Sequence, residues 1–130
     1  MNNSLESNFI NDYIVKEKKE RLLHDFSNHK KRENALLSFS HNIESIVNNK
    51  FIQCKCNIDN WHQFINLTGN VYVISMLKID GENCSIKDAI DILNEQYMPV
   101  IVISDNYVII KSECDGSKNN IMILSKSIIR

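Results

Sequence analysis

Cys54-Lys55-Cys56 is the tightest pairing of reactive side chains in the sequence. Two thiolates at this spacing can supply half of a tetrahedral zinc site, with Cys84, Cys114 or His62 available to complete it. The spacing departs from the usual C-x2-C knuckle, and no second close pair is present. Ile52, Cys54, Cys56 and Ile58 alternate with Gln53, Lys55 and Asn57, so the thiols read better as small residues on the apolar face of a half-buried strand. A thiol or zinc-dependent enzyme is therefore the least favoured class. His24, His29, His41 and His62 stand in no metal or nucleophile signature, and no glycine-rich phosphate loop or nucleophile elbow occurs. With 3 glycines in the chain there is little backbone freedom to cradle a cofactor. The expectation is no catalytic residue, no metal and no cofactor.

Charge offers two further chemistries. Lys18, Lys19, Lys30, Lys31 and Arg32 belong to a basic run that could line phosphates along a pair of helices, which defines a nucleic-acid-binding regulator as the alternative function. Glu17, Glu20, Asp25 and Glu33 are interleaved with that run and dilute its field. The chain also holds 18 Asn, 20 Ile and 12 Lys, all with AT-rich codons, so lysine abundance partly reflects coding bias. Residues 80–115 are different, with 8 acidic and 2 basic side chains. Asp80, Glu82, Asp88, Asp91 and Glu95 form an acidic face there that would speed encounter with a basic protein and orient it.

Helices and strands must position these groups. Leu5, Phe9, Ile10, Tyr13 and Ile14 recur at helical spacing, and the predicted first helix runs on through Lys16–Glu20 to Leu22, Leu23 and Phe26, supported by a Glu17/Arg21 pair. Ser27-Asn28-His29 breaks it. A second helix carries Leu36, Phe39, Ile43, Ile46 and Val47, giving a helical hairpin over 1–49. After the strand at Cys54, a short helix is expected over Trp61, Phe64 and Ile65, then a strand at Val71–Ile74. Ser85 resembles an N-cap for a crossover helix over 86–97, whose apolar positions are Ile86, Ala89, Ile90, Leu93 and Tyr97. That crossover is right-handed if the strands it connects are parallel. Val100–Ser104, Tyr107–Ile110 and Ile121–Leu124 then form a C-terminal β-meander, with Asp105-Asn106 as its first turn, a pair that tolerates left-handed backbone angles. The last run is as apolar as an interior strand and needs a neighbour, either the strand at Cys54 or another chain. The expected fold is α+β, a single domain over 1–130, with a helical part (1–49) and a mixed, largely antiparallel sheet of about five strands (50–130).

No signal peptide and no bilayer-spanning apolar run is read in the sequence, so a cytoplasmic protein with reduced thiols and no membrane partner is expected. The motifs Lys16-Glu17, Arg21, Lys31-Arg32 and His41, followed by Tyr72-Val73-Ile74-Ser75 and Asp80-Gly81, resemble a family of small uncharacterised bacterial α+β proteins; the resemblance implies no activity. At the level of class, an acidic face without catalytic signatures is similar to bacterial immunity proteins that neutralise nuclease toxins. The favoured function is thus a non-enzymatic protein-binding module facing a basic partner, with edge-strand pairing as a second route to association.

Overall fold

The computed structural model describes residues 3–56, 69–95, 98–112 and 120–126, the side chains of Cys56 and Glu95 excepted. The expected helix over residues 61–65 and most of the turn after Lys111 lie outside the described residues.

Glu6, Phe9, Ile10 and Tyr13 share the buried face of α1 (Asn3–Tyr13). The helix does not continue into the lysine-rich turn, which corrects the expected hairpin. Val15 is extended (φ −62°, ψ 146°), and Ile14 forms an isolated antiparallel bridge with Val47. The Val15 amide donates to Ile46 O at 2.8 Å, and the Asn48 amide to Tyr13 O at 2.8 Å. Two adjacent β-branched residues, with backbone partners on another segment, outweigh continuation of the helix at this point. α2 (Lys16–Ser27) then buries Leu22 and Phe26. α3 (Arg32–His41) buries Arg32, Ala35, Leu36 and Phe39 and stops at Asn42, whose side-chain amide donates to Ser38 O at 2.9 Å. The second helix of the expected hairpin is therefore also divided, because α4 (Ile43–Ile46) is a separate turn and Val47 is extended. Phe9 meets Phe39 edge-on at 6.2 Å between ring centroids, fastening α1 against α3.

A turn of 3-10 helix at Asn49–Phe51 leads to the sheet. Its strands are β1 (Ile52–Cys56), β2 (Asn70–Ile74), β3 (Glu82–Ser85), β4 (Val100–Ile103), β5 (Val108–Lys111) and β6 (Ile121–Leu124). They lie in the order β1-β6-β5-β4-β2-β3, and every pair is antiparallel. The meander is present, and β6 finds its neighbour in β1 of the same chain. β2 and β4 are antiparallel, not parallel, because the additional strand β3 reverses the chain before α5 (Ile86–Glu95). β3 has the sequence Glu-Asn-Cys-Ser, which carries no apolar alternation to announce it. The Asp105-Asn106 turn closes with the Ser104 amide donating to Tyr107 O at 2.9 Å. It does so without left-handed angles, which among the described residues occur only at Gly69 and Gly81.

The sheet is covered on both faces. Tyr72, Ile74, Ile101, Ile103, Val108, Ile110, Met122 and Leu124 meet the helices α1–α4. Val71, Val73, Val100, Val102, Ile109, Ile121 and Ile123 meet Ile86, Ala89 and Leu93 of α5. Burial from both sides explains why β4 and β6 are uniformly apolar rather than alternating. α5 begins where the Ser85 hydroxyl accepts from the Asp88 amide at 3.1 Å, the expected N-cap. β1 departs from the simple period of two. Its register shifts between Ile52 and Cys54, so Ile52 packs with the helix-side core and Cys54 with the α5-side core.

Candidate functional site

The expected acidic face is divided by the structure. Glu82 on β3 and Asp88 and Asp91 on α5 are exposed. Cys84 of β3 lies close enough to Asp88 for that carboxylate to act on it: burial, and then the Asp88 charge, push the Cys84 thiol above its ordinary pKa. The side chain of Glu95 lies outside the described residues.

Asp80 is not part of that exposed set, because it is committed to Arg32. Arg32 Nε donates to Asp80 Oδ2 at 2.6 Å and Nη2 to Asp80 Oδ1 at 2.9 Å, while the Ser75 amide donates to Oδ1 at 3.0 Å. On its other side the same guanidinium grips Glu6, Nη1 to Oε1 at 2.6 Å and Nη2 to Oε2 at 2.7 Å. Nη1 also donates to Phe26 O at 2.8 Å, and the Tyr72 hydroxyl donates to Glu6 Oε2. Burial alone lowers the pKa of Arg32, but the hydrogen bonds and charges of Glu6 and Asp80 outweigh it and hold the guanidinium above its ordinary value. The cluster joins α1, the end of α2, α3, β2 and the β2–β3 connection. Because the donors of Arg32 are spent inside the protein, its role is structural.

Glu6 and Tyr72 were not among the sequence candidates, although a signal was present. Glu6 shares its helix stripe with Phe9, Ile10 and Tyr13, and Arg32 shares one with Ala35, Leu36 and Phe39. A charge on the apolar stripe of each of two helices marks a buried pair.

The basic set is likewise dispersed. Arg32 is buried, and Lys19 Nζ donates to Asn11 O at 2.7 Å. Lys30 borders a cavity of about 400 Å³ beside Asp80, together with His29 and Lys78. Lys18 and Lys31 both border a groove of about 550 Å³ between α2 and the α3–α4 arm, Lys18 from the first turn of α2 and Lys31 from beyond its last. Arg21 and Asp25 share its rim, 3.7 Å apart, and Leu22, Ala35, Phe39 and Ile46 form its floor.

Cys54 on β1 and Cys84 on β3 lie on opposite margins of the sheet. Five strand spacings place them roughly 24 Å apart, so Cys84 cannot complete a metal site with Cys54. His62 and Cys114 lie outside the described residues. Among the described residues no group of three or more His, Cys, Asp or Glu is arranged to hold a metal. His24, His29 and His41 are exposed. Among the same residues, no helix is long and apolar enough to cross a membrane.

No family model, no curated protein and no solved structure matches the chain.

Proposed function

We propose that this chain is a non-enzymatic protein-binding module that receives a basic polypeptide along β3 and the exposed acids of α5, in the manner of an immunity protein set against a cationic toxin. The observation that carries this reading is the unequal treatment of the two sheet margins. β1 is bulged, and its Lys55 is held by Glu44 at 2.7 Å, devices that discourage strand addition. β3 is regular against β2 over four paired positions and exposes Glu82 and Asn83. Its outer margin pairs with no strand among the described residues. Backbone hydrogen bonding along such a margin supplies affinity, while Glu82, Asp88 and Asp91 select a cationic partner.

The test is capture from a lysate of the host on immobilised protein, comparing wild type with the triple variant Glu82→Lys, Asp88→Lys, Asp91→Lys. The wild type should retain a basic polypeptide that is released by salt, and the variant should not. Identical retained proteins on both would overturn the proposal.

A further inference from the structure

We infer that β3 accepts a short basic strand in one register only, antiparallel and centred on Asn83, with two cations of the partner one residue apart on the α5 side of the sheet. This rests on the reading of β3 as the receiving margin and adds to it the partner's local sequence pattern. In an antiparallel ladder alternate residues turn both backbone groups toward one neighbour, and those between turn them away from it. The Ile86 amide donates to Gly69 O at 2.9 Å, and the register pairs Val71 with Cys84. Ile86 and Cys84 therefore turn to β2, and Asn83 and Ser85 turn outward.

Two stops bound this window. Before it, Gly81 is left-handed at φ 78°, its amide donates to Val73 O at 2.8 Å, and the Glu82 amide donates to Ile79 O at 3.1 Å. After it, Ser85 is the N-cap of α5, so its carbonyl is taken by the first helical turn. The groups left to a partner are the N–H and C=O of Asn83 and the N–H of Ser85. A strand that continues the antiparallel order of the sheet meets Asn83 with one residue making both bonds, and a longer ladder is blocked at each end. Side chains then set the pattern. Glu82 and Cys84 lie opposite Val73 and Val71 and share the α5 side, whereas Asn83, opposite Tyr72, lies on the other. The partner residue facing Asn83 thus has its two neighbours facing Glu82 and Cys84. Lysine or arginine at the first meets the exposed Glu82, and at the second reaches Asp88, whose charge acts on the Cys84 thiol from the first turn of α5. Lys87 is four residues before Asp91 and within reach of it, so Glu82 and Asp88 are the acids left to set the spacing. The recognised pattern is cation-x-cation, with x opposite Asn83.

The probe is the peptide Ac-Thr-Thr-Lys-Thr-Lys-Thr-Thr-NH2, titrated by NMR into the full nitrogen-15-labelled chain. Wild type should show saturable amide shifts over residues 82–86, with a dissociation constant on the order of millimolar for so short a ladder. N-methylation of the central threonine, which removes its donor to Asn83 O, should weaken binding about tenfold, and N-methylation of either lysine, whose amide points away from β3, less than about twofold. The isomer Ac-Thr-Thr-Lys-Lys-Thr-Thr-Thr-NH2, which places one lysine on the wrong side, should bind about threefold more weakly, as should the original peptide to Glu82→Gln. Equal tolerance of all these N-methylations, or a loss on methylating a lysine instead of the threonine, would overturn the register while leaving a basic partner at β3 in place. Absence of any saturable shift over residues 82–86 would also overturn the inference, and capture from the lysate decides the broader reading separately.

Discussion

Replacing Arg32 by methionine removes every hydrogen bond that links Glu6, Asp80 and Phe26 O to the guanidinium. The two carboxylates then face different consequences. Asp80 has a side chain 22% exposed and keeps the Ser75 amide, so water can replace much of what it loses. Glu6 is 3% exposed and keeps only Tyr72 among the partners described above. An uncompensated charge at such depth costs about 3–5 kcal/mol. Against a total of roughly 5–15 kcal/mol for a domain of this kind, that is a large fraction of its stability. Urea unfolding followed by far-UV circular dichroism measures the loss directly, and thermal unfolding should show a midpoint lower by on the order of 10 °C. The double variant Glu6→Met, Arg32→Met separates pair from charge: removing both partners should recover about half of the single-variant loss, because the carboxylate left without Arg32 is then only Asp80, which water reaches. A cost below about 1 kcal/mol for Arg32→Met, or a double variant as unstable as the sum of the singles, would refute the assignment of Arg32 as the joint of the fold.

Three smaller predictions follow from the same geometry. Ser85→Ala removes the N-cap of α5 and should cost about 1 kcal/mol in urea unfolding. Lys55→Ala breaks an exposed pair with Glu44 and should cost at most about 0.5 kcal/mol in urea unfolding, because both side chains are well solvated. Burial raises the pKa of Cys84, Tyr13 and Tyr107 in the folded state. These groups keep their protons longer when folded, so the stability they contribute is present below the unfolded values and is lost as pH rises. Urea midpoints should therefore fall progressively above about pH 8.5–10; a flat profile to pH 11 would contradict the burial of these groups.

Much of the architecture was legible because its signals were large and local. Val100–Ile103, Val108–Ile110 and Ile121–Leu124 are β-branched runs with no helical period, and Ser85 precedes the strongest amphipathic stripe in the chain. What was hidden depended on tertiary partners. The break at Ile14-Val15 arises from backbone bonds to Ile46 and Tyr13 that no spacing rule announces. β3 is polar because it lies at a margin, so the pattern that reveals an interior strand is absent from it. The shift in β1 separates Ile52 from Cys54, where strict alternation places them together. Arg32 and Asp80 were read as surface contacts because each was weighed with its charged neighbours in sequence. The positions of Arg32 and Glu6 on the apolar stripes, Arg32 beside Leu36 and Glu6 beside Phe9, carried the better information. The groove was invisible for the same reason: it is a space between two helices, which the spacing of residues along either one does not announce.

Hydrogen exchange followed by mass spectrometry, on the protein alone and with its captured partner, tests the proposed binding surface most directly. New protection concentrated over residues 82–91, with the α2–α3 groove unchanged, is the result expected of a basic chain added along β3 beside Asp88 and Asp91. Partner-bound protein whose residues 82–91 exchange as fast as in the free state would contradict it.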